Sequence, residues 1–442
     1  MKLFCLLCIS IVILLAFIFI CVSRLLAGSV YHTSYQSVEF IRSLNRNAST
    51  EVDATFFNPA GTARLEDGLY FYLSNHSLFQ TKTIEDTTIL PASMNSVQLK
   101  DEYVGDVNAY IFPNAYVVYK TEDWAFFGGL LPLAGGGSAD FSEGFPSLQI
   151  SALRLIGNPL DEGDPSSTVT GLDSFISEFK GSSVYFSGQL GLAYNLNDTI
   201  SIALAGRTAY AYNKYDGKIT AIYSTQADEQ RSLTQNIDFK ETGICYSIIT
   251  GVNAAPTSEL NIGVKFEYNT KLVLERDKSS GDTSSYPDGE RTKKTLPMVA
   301  TLGISYMIMP GLRIETDFSN YFNKQVDWDG AEDDYNHGWE AGIGLEYVIN
   351  SKLKASAGYL YTIKGATEES LSEMSMYLDL HQIGLGAVYS VNQDVDVSIG
   401  YMYGIYMEEE VDSLSKNFGL EGTLKLDQTV WDIGIGLTYK AM

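Results

Sequence analysis

Beyond residue 67 the chain alternates, segment after segment, between apolar and polar or tiny residues. Leu260, Ile262, Val264, Phe266 and Tyr268 interleave with Asn261, Gly263, Lys265, Glu267 and Asn269. Val395, Val397, Ile399, Tyr401 and Tyr403 do the same against Asp396, Ser398, Gly400 and Met402. So do Trp431, Ile433, Ile435, Leu437 and Tyr439 against Asp432, Gly434, Gly436 and Thr438. Successive strand side chains point to opposite faces, so each run makes a ribbon with one greasy and one wet face.

The pattern predicts fourteen strands, near 68–82, 104–120, 124–136, 183–195, 199–213, 242–254, 258–275, 295–308, 312–324, 337–348, 352–364, 380–391, 395–407 and 429–440. Links after even strands are tight, as at Thr121–Asp123, Leu196–Asp198 and Asn392–Asp394, whereas links after odd strands are long. Short and long links alternating around an even strand count predict an all-β fold: a membrane-spanning, antiparallel, up-and-down β-barrel with both termini on the periplasmic side. A soluble β-sandwich also alternates, but it leaves sheet edges that closure removes. Tyr194, Tyr306, Tyr347, Tyr389 and Tyr439 recur at strand ends, where an amphipathic ring suits a membrane interface.

The N-terminus changes the picture. Leu3 to Val22 is an apolar run preceded by Lys2 and followed by Ala27, Gly28 and Ser29, which reads as an export signal over residues 1–28. An uncleaved helical anchor and a lipoprotein signal at Cys21 are the alternatives. Without Lys2 and Arg24, 54 acids face 28 bases, a field that repels nucleic acid. Removal of the signal leaves Cys245 as the one cysteine, so no internal disulfide is expected.

The third predicted strand, WAFFGGLLPLAGGG, carries Gly128, Gly129, Pro132 and Gly135. Proline donates no ladder hydrogen bond and glycines permit bulges, so a break in the wall is expected there, or else a strand end at the outer rim. The loop expected over 137–182 holds Phe145, Leu148, Ile150, Leu153, Arg154 and Leu155. Exposed apolar residues of this kind imply a capture groove or a self-packed cap, and Arg154 offers a partner for a carboxylate. Arg207, Lys265, Arg313, Lys352 and Lys354 fall on polar faces beside Glu267, Glu315 and Glu346, the arrangement of ion-pair ladders. VDWDGAEDD opens like a calcium loop but lacks its later spacing, and solvated charge explains it better. No G-x-S-x-G elbow or H-E-x-x-H pair occurs, so no enzyme, metal site or cofactor is expected.

Residues 46–65, RNASTEVDATFFNPAGTARL, resemble the N-terminal signature of the FadL-type (OMPP1/TodX) outer-membrane transporters of long-chain fatty acids and other hydrophobic compounds. Strand endings such as LGISYMIMPGL and GLGAVYSVNQDV resemble that family as well. The resemblance implies a hatch over 29–66 centred on Asn58, Pro59, Ala60 and Gly61, inside a barrel formed by 67–442. It also implies a kinked third strand that opens sideways, and passive uptake of a hydrophobic small molecule such as a long-chain fatty acid. Expected partners are that molecule, outer-membrane lipid and the barrel-assembly machinery, with a monomer as the working state. A non-transporting surface barrel, adhesive or structural, and a general polar porin are the competing functions.

Overall fold

A computed structural model describes residues 35–89, 100–149, 169–225, 230–278, 288–373, 375–412 and 421–441. The export signal over 1–28 and Ile150, Leu153, Arg154 and Leu155 lie outside the described residues. The wall has 14 strands. They are β1 (Gly68–Asp86), β2 (Glu102–Thr121), β3 (Trp124–Phe141), β4 (Val169–Asn195), β5 (Ile200–Thr225), β6 (Gln230–Ala254) and β7 (Leu260–Asn269, continued by Val273–Lys278). The circuit goes on through β8 (Arg291–Lys293, then Val299–Met309), β9 (Leu312–Tyr321), β10 (Gly338–Asn350) and β11 (Leu353–Ile363). It ends with β12 (Leu380–Ser390), β13 (Val395–Tyr406, then Glu409–Val411) and β14 (Leu424–Ala441). Each strand pairs antiparallel with its sequence neighbour, and β1 closes on β14 from Leu69↔Ala441 to Asp86↔Leu424.

The alternation maps onto the two sides of the wall as expected. On β14, Trp431, Ile433, Ile435, Leu437 and Tyr439 are exposed outward while Asp432 is fully buried inside. Tyr306, Tyr347, Tyr389 and Tyr439 also point outward, the last stacked on Phe71 across the β1–β14 seam at 6.5 Å. A sheet that faces lipid must pair its backbone within the protein, and closing β1 on β14 removes the free edges an open sheet would leave.

Several strands overrun their predicted limits, β4, β5 and β6 by far the most. β4 begins at Val169 instead of 183, β5 runs to Thr225 instead of 213, and β6 starts at Gln230 instead of 242. The outward face of β5 gives the reason. It reads Leu204, Gly206, Thr208, Tyr210 and Tyr212, then Lys214, Asp216 and Lys218, against Lys240, Asp238 and Asn236 on β6. Above the tyrosines the outward face turns charged and polar, so the apolar face that reveals a strand disappears although the ladder continues. The long loop is accordingly confined to 142–168, not 137–182.

Two apolar clusters fill the interior. The lower one joins Phe40, Phe56, Phe57 and Tyr72 to Tyr116, Phe127 and Leu133. The upper one joins Phe141, Phe145, Leu148 and Phe179 to Phe239, Leu378 and Leu426.

Candidate functional site: a filled lumen and an interrupted wall

Residues 35–65 fold inside the lower barrel as α1 (Val38–Ile41), α2 (Ala54–Phe57) and a 3₁₀ helix, Pro59–Arg64. Pieces this short are not stable alone, so they hold their shape by packing. Phe40 stacks on Phe57 at 5.5 Å, and Phe56 meets Phe57 edge-on at 5.1 Å. Burying each ring contributes roughly 1.5–3 kcal/mol. Pro59 sits at the first 3₁₀ position, where its missing N–H costs nothing. Asn58 ties this segment both to itself and to the wall. Its side-chain amide donates to the Ser49 carbonyl at 2.9 Å and to Asn253 Oδ1 of β6 at 2.7 Å. Gly61 leaves no room for a Cβ, which would meet the Ser49 carbonyl.

Charge fixes the middle of this segment to one side of the wall. Arg42 donates to Glu39 at 2.5 Å, to Glu346 of β10 at 2.6 Å and to Ser356 of β11 at 3.0 Å. Arg46 holds Asp53 at 2.6 Å and Glu51 at 2.6 Å. The backbone N–H groups of Arg46 and Asn47 both donate to Asp317 Oδ2 of β9, at 2.6 and 2.8 Å, and that of Ala48 donates to Glu315 at 3.0 Å. Partial burial raises the Glu51 carboxyl, but Arg46, then Lys354, Arg313 and Arg42, outweigh it and hold the group well below the usual carboxylate range.

Of the luminal bases expected to form ladders, Arg207 and Arg313 do pair with wall carboxylates, and Arg207 and Lys265 also touch the filling. Arg207 pairs with Glu267 at 2.7 Å while lying over the Phe56 ring at 4.7 Å. Lys265 donates to the Phe56 carbonyl at 3.1 Å, and Arg313 pairs with Glu346 at 3.4 Å. Glycines on the inner face make the space. A Cβ on Gly263 would meet the Asn47 carbonyl, on Gly303 the Asn47–Ala48 backbone, on Gly358 the Ser43 carbonyl and on Gly384 the Ile41 carbonyl. This row was not recognised in the sequence, although a glycine at one inward position on successive strands is a readable sign that something occupies the lumen.

The wall is interrupted between β2 and β3. Pairing runs from Thr121↔Trp124 up to Ala115↔Leu130, stops, and resumes at Asn108↔Ser138, so residues 109–114 and 131–137 have no partners in each other. Pro132 and Gly135 lie within this gap, and Gly135 adopts φ +84° at a bulge against β4. Gly128 and Gly129 do not. They sit in the paired stretch below and line an outward trough of about 920 Å³ with Phe71, Leu73, Leu130, Leu190 and Leu437. The sequence reading missed a second proline, Pro113, on the β2 side of the gap; its residue type alone was the available signal. β2 bulges here, setting Tyr110 and Ile111 against the single Ser77 of β1, and the two are 64% and 77% exposed. Ser77 donates to the Tyr110 carbonyl at 2.8 Å, so a β1 side chain satisfies backbone that β3 does not. Beside them His76 pairs with Asp432 at 2.7 Å, buried against Phe112.

Above the filling, two adjoining cavities of about 420 and 350 Å³ share Phe145, Phe179, Tyr215, Glu241 and Lys294. Phe145 and Leu148 are thus buried in the upper core and line these cavities, and a helical turn at 146–149 holds them. Lys82 and Lys294 face this space, and among the described residues neither has an ion-pair partner. The calcium-like loop is locked otherwise: Asp327 pairs with Lys271 at 2.8 Å and Lys293 at 3.1 Å, and Asp329 with Lys293 at 3.2 Å.

Comparison with protein-family models and with curated proteins gave no match. Among solved structures, the chain is similar to a Pseudomonas aeruginosa FadL homologue at 13% identity, covering 93% of this chain and 99% of that one, with a TM-score of 0.61. It is similar to the Pseudomonas putida toluene transporter TodX at 13% identity, with 93% and 99% covered and a TM-score of 0.60. The Ralstonia pickettii toluene transporter TbuX aligns at 13% identity over 89% and 94%, with a TM-score of 0.54. The fold is that of the FadL-type outer-membrane barrels.

Proposed function

We propose that this chain is a monomeric outer-membrane channel for passive uptake of hydrophobic compounds, in which residues 29–66 act as a hatch and the ligand leaves sideways between β2 and β3. The β2–β3 interruption carries the reading. In a closed barrel, unpaired backbone facing lipid is costly, and here prolines on both sides maintain it. The apolar trough beneath the gap, floored by Gly128, Gly188 and Gly206, gives an emerging chain a surface to slide along. The filled lumen argues against an open polar porin, because side chains and backbone occupy the bore at Asn58 and Phe56. Export and the barrel-assembly machinery would deliver it to that membrane.

Among hydrophobic compounds we favour acyl chains with a carboxylate head. Phe141, Phe145, Phe179 and Tyr377 would take the chain, and Lys82 with Lys294 the head. Each buried methylene supplies about 0.8 kcal/mol, so binding is ample and release is the step that needs the wall gap. Labelled oleate is expected to enter vesicles carrying the purified protein faster than protein-free vesicles; equal rates would end the transport reading. Replacing Lys82 and Lys294 together by alanine is expected to weaken oleate binding roughly tenfold and to leave toluene binding unchanged. Equal losses for both ligands would remove the carboxylate assignment while leaving the channel intact.

A further inference from the structure

We propose that a second break in the wall, between β7 and β8, is a sideways entry port through which hydrophobic compounds dissolved in the outer leaflet reach the upper cavities, with Trp328 as its stopper. The proposal rests on the reading that those cavities take an acyl chain. Pairing of β7 with β8 runs from Leu260↔Tyr306 up to Glu267↔Val299, stops, and resumes at Val273↔Lys293. Between the two stretches the Lys294 N–H donates to the Leu272 carbonyl at 2.9 Å, and residues 268–271 have no ladder partner among 295–298. The register is the same above and below, so no inserted residue between these two strands causes the break. Pro297 contributes, because it brings no N–H to the ladder. The β6 side is loosened as well, since the β6–β7 register slips between Ser247↔Asn269 and Thr242↔Glu275.

Side chains stand in for the missing rungs. Asn269 donates to the Pro297 carbonyl at 2.7 Å, Trp328 Nε1 to the Thr295 carbonyl at 2.7 Å, and the Leu272 N–H to Thr295 Oγ1 at 3.4 Å. Outside, Tyr268 and then Lys271 stand exposed, an aromatic followed by a charge, which sets the break at the outer membrane interface. Inside, Leu274, Thr292 and Lys294 from its upper margin line the two cavities. The β9–β10 loop lies across it. Trp328 is buried there, edge-on to Tyr335 at 5.1 Å. Asp327 pairs with Lys271 on the β7 side at 2.8 Å and with Lys293 of β8 at 3.1 Å, so one carboxylate ties both margins. Asp329 adds Lys293 at 3.2 Å and accepts the Lys293 N–H at 2.8 Å. Glu332 accepts from the Trp328 and Gly330 N–H groups, both at 2.9 Å, so the stopper travels with its loop. Solvent-exposed ion pairs are weak and screened by salt, which makes this closure far easier to undo than a run of ladder bonds.

Binding kinetics of the full-length protein in lipid nanodiscs test this, with a dansyl-labelled undecanoic acid as the probe. A stopper governs how fast a ligand enters and leaves, not how tightly it is held. Trp328→Ala is expected to raise the association and dissociation rates about tenfold each and to leave the dissociation constant unchanged. Asp327→Asn is expected to raise both rates about threefold, and added salt should speed the unsubstituted protein but not this variant. A folded Trp328→Ala protein that binds at the unsubstituted rate would overturn the port. So would one that loses affinity and thermal stability with no gain in rate, since the loop would then be a brace only. Should Trp328→Ala fail to fold, Asp327→Asn, a change at the surface, decides by the same rates. No saturable binding by the unsubstituted protein would instead remove the acyl-chain reading itself, and the port with it.

Discussion

Arg46 shows how much of the filling hangs on single residues. Its guanidinium is fully buried and holds Asp53 and Glu51, while its backbone N–H reaches Asp317, 271 positions along the chain. Removing the cation leaves Asp53 buried and uncompensated, so Arg46→Gln is expected to cost about 3–5 kcal/mol. A drop in the thermal midpoint, and rapid protease cleavage within 35–65, would register it. Glu51 makes the same network depend on pH. Its folded carboxyl lies well below the usual range. The stabilisation is therefore complete above the unfolded value, about 4.3, and is lost as pH falls below it toward the folded value. Single-channel current in planar bilayers is expected to stay near zero at pH 7 and to rise under acid, and Glu51→Gln should flatten that response. Of these residues, Asn58, Pro59, Ala60 and Gly61 stood out in the sequence through the resemblance of residues 46–65 to a family signature. Arg42 and Arg46 were not singled out: Arg46 pairs with Glu51 and Asp53 inside its own segment, and only the bond of Arg42 to Glu346 depends on a distant strand that barrel closure brings near.

Strands were legible wherever lipid demanded an apolar face. Alternation located all fourteen, and it failed on the upper halves of β4, β5 and β6, where Lys214, Asp216 and Lys218 face water. Pro132 was readable as a break from residue type alone, but its counterpart Pro113 gained meaning only once the register put both beside one gap. Supplying a donor there should strengthen the wall. Pro132→Ala restores one N–H, about 1 kcal/mol, and is expected to slow labelled oleate uptake roughly fivefold with no loss of thermal stability. The inward glycines make an opposite prediction. A leucine at Gly358 would collide with the Ser43 carbonyl, and overpacking of this kind costs about 1–3 kcal/mol. Gly358→Leu is expected to dislodge the filling and raise bilayer conductance, while the barrel keeps its strand signal in circular dichroism.

For the whole molecule, one closed sheet does three jobs at three heights. The lower lumen is filled and charge-locked, the upper lumen holds cavities faced by Lys82 and Lys294, which have no ion-pair partner among the described residues, and the β2–β3 ladder is interrupted between Asn108 and Ala115. On the proposed function, sideways exit is the shorter route, because residues 35–65 fill the lower bore. It is tested most directly by photolabelling with a diazirine-bearing oleate during uptake, followed by mapping of the modified residues. The expected labels fall on Tyr110, Ile111 and Phe112 of β2 and on Leu133 and Ala134 of β3. Labels confined to Pro59–Arg64 and the short periplasmic turns, with none at the gap, would mean that the ligand passes straight through and that the wall opening carries nothing.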